Sequence, residues 1–542
     1  MNSEQKSTEA NTTAEAFELP LTTDHESFLT GWELYRVGIG LSVSYFLIML
    51  NATIIVTAIP RITKEFNSAG DIGWYGSAYL LGNCVLQPLS GKIYTFHSLK
   101  NTFLVFLTIL ELGSLMCGAA TSSNILIIGR ALAGCGASGI LNGGLTILAA
   151  CAPLEKRSYL VGAAVSFGAV GQVLGPLVGG LLTQRATWRW GFYLNLPLGA
   201  AVAALILLTR IPDQRRKAEK TTWKKTLLEL DLVGFALFAP VVIMLLLALN
   251  WGGKKDAWNS ATTIGLICGA FGTLCVFLVW EHRKGDDAMV PFRLFRRRII
   301  VSCYLTGFFQ AGALVDMTYY LPLWFQSARR ATATMSGVDI LPTIGCQILF
   351  SAVTAVLVSR IGWILPQLLG GSSMLAIGLG LVSTLIPSSE AGRWVGYQIL
   401  IGAGRGIVSQ IPVIVVQAVL SGDEIAIGAS LLAFTQYMGG AVFLSAATAL
   451  FNGSLSSSLQ KYAPGANATA IMDVGIKGVA SSISASDLKE ITVAFSKAIT
   501  QTFYLASAAG VITVFTSLGI GWIDIKEMKA TKKVEEETIS QA

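Results

Sequence analysis

Residues 171–180 read GQVLGPLVGG. Gly171, Gly175 and Gly179 recur every four residues, with Gly180 adjoining the last of them. On a helix that spacing sets positions without side chains nearly in line, so a neighbouring backbone can approach closely. Pro176 removes one backbone hydrogen bond between them and permits a bend. The stretch lies inside an apolar run of about 158–183. Such a run is long enough to cross about 30 Å of hydrocarbon at about 1.5 Å per residue.

Working outward, thirteen further apolar runs fall at roughly 38–59, 73–94, 101–121, 124–150, 190–209, 231–250, 261–280, 299–325, 337–358, 363–386, 394–420, 427–451 and 499–522. They predict an all-α membrane protein with fourteen transmembrane helices, because continuous apolar runs of this length do not read as alternating barrel strands. The composition agrees. Of 542 residues 53% are apolar and 13% charged, with mean hydropathy +0.61, whereas soluble domains are roughly a quarter charged.

The small counts exclude several functions. The net charge of +7 does not point to nucleic acid, since most Lys and Arg lie between the apolar runs. Eight cysteines lie within or at the ends of runs without CxxC spacing and read as packing residues. His25, His97 and His282 are far apart and compose neither a metal site nor a catalytic triad. The sequence holds no GxxxxGK[ST] phosphate loop, so energy for any pump must come from outside the chain. No enzyme, metal or cofactor is expected.

Residues 1–35 read as a disordered cytoplasmic tail, 36–210 as a first six-helix bundle, 211–298 as a linker with two inserted helices, 299–525 as a second six-helix bundle, and 526–542 as a second tail. The Lys/Arg bias, concentrated at 210–225 and 283–298, places both termini in the cytoplasm. Those basic loops read as orientation anchors or as sites for lipid headgroups. A Ser/Ala-rich external loop is expected over 453–498, with Asn467 of Asn467-Ala468-Thr469 as a glycosylation acceptor.

The two six-helix sets read as a repeat. Pro60 in IPRI parallels Pro322 in LPLW, and Arg130 in GRALAGCG parallels Arg405 in GAGRGIVSQ. Gln172 and Gln436 fall at a similar offset.

Several of these stretches resemble the major facilitator superfamily, and within it the fungal-type, fourteen-span drug:proton antiporter family 2. The segment 171–180 is similar to the antiporter motif GxxxGPxxGG, carried here by Gly171, Gly175, Pro176, Gly179 and Gly180. Trp188 to Gly199 (WRWGFYLNLPLG) resembles the stretch that opens the sixth span of that family. Arg130 to Gly139 (RALAGCGASG) is similar to its fourth-span motif, and Gly91 to Lys100 (GKIYTFHSLK) to its loop between the second and third spans. The resemblance, over about residues 38–525, implies two bundles that rock about a central cavity and export drugs, toxins or secondary metabolites against protons. Two departures stand out. Thr95 stands where the loop usually has Asp, and Asn51 in LNATII where the first span commonly has a carboxylate.

Charged residues within spans are functional candidates by default. Glu111, at mid-span, could carry a proton. Arg130 and Asn51 fall at one depth and could hydrogen-bond, although Asn cannot neutralise the charge. Asp316 and Arg405 complete the candidates for proton coupling or charge balance. Polar residues on central helices could line a cavity for an amphipathic solute: Asn51, Asn83, Gln87, Gln172, Asn195, Gln310, Tyr320, Gln347, Gln410, Gln417 and Gln436. Helix packing or interhelical hydrogen bonding is the plainer reading of each. The expected function is secondary active efflux of small organic compounds, with protons as partner, by a monomer in the lipid bilayer of the plasma membrane or alternatively the vacuole. A siderophore or basic amino acid carrier, a proton-independent facilitator and a transporter-like receptor stand as alternatives.

Overall fold

A computed structural model describes residues 29–68, 71–152, 154–211, 230–252, 258–285, 288–420, 424–464 and 485–524. Asn467 and the two terminal tails before residue 29 and after residue 524 lie outside the described residues. Fourteen helices of thirteen residues or more are present among them: α1 Trp32–Ile54, α2 Ile72–Phe96, α3 Leu99–Gly118, α4 Ser123–Cys151, α5 Leu154–Arg185, α6 Asn195–Leu207, α7 Leu232–Trp251, α8 Ala261–Lys284, α9 Arg298–Ala328, α10 Leu341–Ile361, α11 Leu365–Val382, α12 Ala391–Val419, α13 Glu424–Tyr462 and α14 Ala485–Leu518. Trp363 and Asp524 form an isolated β contact.

Among the described residues, thirteen helical segments are long and apolar enough to span a membrane. The helix outside that set is α2, which coincides with the expected second span but carries Asn83, Gln87 and Lys92. All three are buried, since α2 lies between α4, α7 and α13 and its polar side chains meet protein.

The six helices α1–α6 pack around one core, in which Leu41, Ile48, Phe103, Leu110, Ala137 and Ile140 are fully or almost fully buried. The helices α9–α14 surround a second, built on Trp324, Phe325, Leu379, Ile401 and Phe503. Glycine shapes both in the same way. In α4, Gly134 abuts the Tyr79 carbonyl of α2 while Gly136 abuts Leu110 of α3. In α12, Gly402 and Gly404 abut Thr343 of α10 and Leu375 of α11. Each of these helices is therefore wedged between two others at distances that leave no room for a Cβ, as the paired motifs around Arg130 and Arg405 suggest.

The two halves meet along α2 with α13, and along α5 with α10 and the short helix Ala333–Val338. The inserted pair α7–α8 rests on α2 and α13. The outer face of α8 stays apolar, with Ile264, Phe271, Val276 and Val279 each about half exposed or more, as befits a helix against lipid. Next to this pair, Arg293 and Arg297 bind Glu424 at the start of α13 at 3.0 and 3.5 Å.

The composition of 453–498 suggested a loop, but its described parts are helical. Leu455 and Leu459 of α13 bury against Ile491, Phe495 and Ala498 of α14. Small Ser and Ala residues between these apolar positions let the two helices run on together past their spanning parts.

Candidate functional site

The glycine motif of α5 works mainly within its own bundle. A Cβ on Gly171 would strike the Phe46 carbonyl, one on Gly175 the Thr53 hydroxyl, and one on Gly179 the Ile54 carbonyl, all on α1. Only the far edge of the motif looks across to the second half. Gly180 has open space toward Thr334, and Leu177 packs against Gly337. Pro176 sits inside the continuous helix α5.

Beside this seam lies a buried polar network. After Ile54, α1 gives way to a 3-10 turn over Ile55–Thr57, and the Ile55 N–H turns to the Thr53 carbonyl. The Asn51 carbonyl is thereby open to another donor. Arg130 of α4, fully buried, fills that role: its Nη1 donates to Asn51 O at 2.8 Å and to Asn51 Oδ1 at 2.6 Å. Its Nε donates to the Tyr75 carbonyl at 3.0 Å, and the guanidinium lies 4.5 Å from the Tyr79 ring centre. Asn51 Nδ2 donates in turn to Ser114 Oγ at 2.7 Å, which Asn195 Nδ2 approaches at 3.3 Å. Every group that holds the Arg130 charge is neutral. Its Nη2 is buried without a partner among the described residues, and Tyr319 of α9 lies nearby from the other half.

Arg405 on α12 takes its partner across the interface, donating from Nη2 to Gln172 Oε1 of α5 at 2.9 Å. The Gln172 carbonyl accepts from Thr53 Oγ1 at 3.2 Å, so this link adjoins the Asn51 region of α1. Between the halves is a cavity of about 140 Å3 whose walls include Tyr45, Met49, Asn142, Leu432, Gln436 and Tyr437. A wider depression of about 390 Å3, lined by Arg329, Arg330 and Lys489, belongs to one end of the second bundle alone. It lies off the interface between the halves, whereas the smaller cavity has walls from both.

Of the residues expected to line a cavity, Gln436 does so. Gln87 donates to Asn142 Oδ1 at 2.9 Å, and Asn142 returns its Nδ2 to the Gln87 carbonyl and to Ser90. Asn83 is buried with Tyr437 beside it. Tyr320 donates to Thr448 at 3.1 Å within the second bundle. Gln310, Gln347 and Gln410 are buried and Gln417 is half-buried, none of them on the cavity wall. Sequence reasoning missed Asn142, Tyr45, Tyr437 and Ser114. Asn142 had a signal, as an amide deep within the apolar run of α4; a single Ser or Tyr in such a run has none.

The candidate carboxyl groups lie apart from both arginines. Glu111 points from α3 at Gly199 of α6, where any side chain would collide with it, and neither of its oxygens has a hydrogen-bond partner. Asp316 is fully buried in α9, and both of its oxygens also lack a hydrogen-bond partner. The neighbouring Thr502 hydroxyl of α14 donates to Ile499 O at 2.9 Å. Asp316 therefore sits inside the second bundle rather than in the cavity.

The remaining strings that resemble family motifs tie loops together. Trp188 Nε1 and Arg189 Nη1 donate to the Glu65 carboxylate at 2.7 and 2.8 Å, and Arg189 also reaches the Ala120 carbonyl at 2.8 Å. The Trp188 hydrogen bond, followed by Arg189, holds the Glu65 carboxyl below the usual carboxylate range against a smaller effect of burial. Lys100 caps the end of α6 through the Leu207 and Thr209 carbonyls. Lys92 is in charge contact with Glu281 of α8, so the loop that lacks its Asp at Thr95 leans on the inserted pair.

The family model of the Major Facilitator Superfamily matches residues 41–444. The chain is 45% identical over 506 residues to the MFS-type transporter pigP of Monascus ruber, covering 93% of this chain and 89% of that protein. It is 43% identical over 542 residues to the efflux pump mlcE of Penicillium citrinum, covering 98% and 97%. Among solved structures, the proton:xylose symporter XylE bound to 6-bromo-6-deoxy-D-glucose is similar with TM-score 0.59 at 13% identity, covering 92% of this chain and 98% of that one. An inward-facing, unoccupied bacterial homologue of the human lysosomal transporter Spinster is similar with TM-score 0.58 at 15% identity, covering 91% and 98%. With two six-helix bundles, a cavity between them and a family match across most of its length, the chain belongs to the Major Facilitator Superfamily and is a multi-pass membrane transporter rather than an enzyme.

Proposed function

We propose that the chain exports small organic compounds across the plasma membrane, as a monomer with both termini in the cytoplasm, by alternating access of the halves 36–210 and 299–525. The observation that carries this reading is the cavity between the halves, walled by α1 and α4 from one and by α12 and α13 from the other. Relatives bearing the name efflux pump supply the direction. The walls are mostly apolar with a few amide and phenol groups, a lining that suits amphipathic organic molecules better than small ions.

We further propose that inward proton flow drives export, with Glu111 as the carrier. A buried carboxyl group that no protein atom neutralises is suited to binding and releasing a proton. Purified protein in vesicles, loaded with a fluorescent organic dye and given a pH gradient of either sign, tests both parts. Dye efflux that follows the gradient and loses that dependence in Glu111→Gln is the expected result. Efflux that proceeds equally without a gradient favours a facilitator, the reading to which the neutral Asn51 partner of Arg130 lends support. No dye movement in either direction would refute transport of organic compounds.

A further inference from the structure

The interior of this transporter holds two guanidinium groups and no carboxylate to match either. Arg130 is surrounded by Asn51, the Tyr75 carbonyl and the Tyr79 ring. Arg405 has Gln172 as its hydrogen-bonded partner and, among the described residues, no other. The buried acids are elsewhere: Glu111 faces Gly199 between α3 and α6, Asp316 lies beside Thr502 inside the second bundle, and Asp231 and Glu281 belong to the inserted pair α7–α8. An arginine cannot shed its charge, and an unmatched charge at mid-membrane is costly. The excess positive charge lies where the halves meet, roughly two turns along α12 from the cavity wall at Val413. The amide of Gln172 occupies one edge of the Arg405 fork; the other nitrogens are neither hydrogen-bonded nor sealed. A planar fork with a free edge matches a carboxylate.

We propose that the compounds carried are amphipathic organic anions, carboxylates or phenolates, whose acidic group docks on Arg405 while the apolar body occupies the cavity beside Leu432 and Met49. A carboxylate is a stronger acceptor than the Gln172 amide: entering at the free edge, it competes for the Nη2 that the amide holds and draws the guanidinium away from it. That exchange opens the hydrogen bond joining α5 to α12, so binding the anion frees the two halves to move. The inference rests on the proposed export of organic compounds and narrows its substrate class.

The test uses the full chain in lipid nanodiscs with two labelled probes, 1-naphthylacetate and its neutral isostere 1-naphthylacetamide. The acid should bind about tenfold or more tightly than the amide, the scale of one strong charge-assisted contact. In Arg405→Gln that ratio should fall to about one, and Arg405→Lys, which keeps the charge but not the fork, should restore part of it. Equal binding of the two probes by the unaltered protein overturns the proposal, and needs no variant to fold. So does a ratio unchanged by Arg405→Gln. If vesicles carry the amide and the acid is not preferred, the anion inference alone fails. If neither probe binds nor moves, the export of organic compounds fails with it.

Discussion

Arg405 of the second half donates to Gln172 of the first at 2.9 Å, joining α12 and α5 across the plane on which the two bundles meet. Its counterpart in the repeat, Arg130, spends its hydrogen bonds inside its own half, on Asn51 and Tyr75. Two arginines at equivalent places thus serve different purposes. One stiffens a bundle and the other ties the bundles together.

Removing that tie should loosen the closed arrangement. A hydrogen bond to a charged group contributes about 1.5–3 kcal/mol, so Gln172→Leu should move the balance between conformations by roughly ten- to a hundredfold. Spin labels on α5 and α12, with distances read by pulsed resonance, should show a broadened or displaced distribution. An unaltered distribution would show that this bond does not govern the interface.

Asn51→Asp supplies the carboxylate that Arg130 lacks. The Oδ1 acceptor 2.6 Å from Nη1 is retained, and the donation to Ser114 is lost. Flux in this variant should depend more steeply on pH than in the parent, because an acid beside the guanidinium now titrates. Asn51→Leu instead removes the side-chain acceptor and leaves the Arg130 charge with the main-chain carbonyls of residues 51 and 75 and the Tyr79 ring, a loss of about 1.5–3 kcal/mol for one hydrogen bond to a charged group. Size-exclusion profiles should then show less folded protein.

The glycine motif divides into two kinds of position. Gly175→Ala forces a methyl onto Thr53, and overpacking of this sort costs about 1–3 kcal/mol. Gly180→Ala meets no atom closer than 3.9 Å and should stay within about 0.5 kcal/mol of the parent. Thermal unfolding in detergent compares the two, and equal losses would contradict the packing described.

Glu65 provides a pH effect whose sign can be worked out. Its carboxyl titrates lower in the folded chain than its ordinary value because Trp188 and Arg189 favour the charged form. The stability it contributes is therefore present above the ordinary carboxylate range, about 4.3 for Glu, and is lost as pH falls through the folded value. Protection of Ile59–Phe66 against hydrogen exchange, relative to the intrinsic rate at each pH, should fall under acid conditions, and Glu65→Gln should show the lower protection already at neutral pH. With Glu65 part exposed, the effect should be small.

The helices could be read from the chain because lipid demands long apolar runs, and no run of that kind is hidden by tertiary context. The reading faltered where small residues bury for reasons of geometry. Ser458 and Ala494 look like loop residues until α13 and α14 are laid side by side. At the site, Arg130 and Asn51 could be matched by depth alone. The link from Arg405 to Gln172 could not, since no spacing rule connects residues that meet only when two bundles close. The same holds for Asp316, whose position in α9 fixes its depth but not which neighbour it faces.

The inserted pair α7–α8 has a consequence of its own. Phe238 meets Phe277 of α8 at a tilt and Phe434 of α13 edge-on, with ring centres 5.4 and 5.2 Å apart, while Val85 and Leu89 of α2 join the same apolar cluster. In the rocking proposed above, the hairpin would serve as a bearing shared by both bundles, greasy on the side turned to them and closed on itself at one end through the Asp231 contacts with Trp280 and Met289. Trimming the chain to twelve helices would do more than shed an appendage: it would bare apolar surface on α2 and α13, one helix from each bundle.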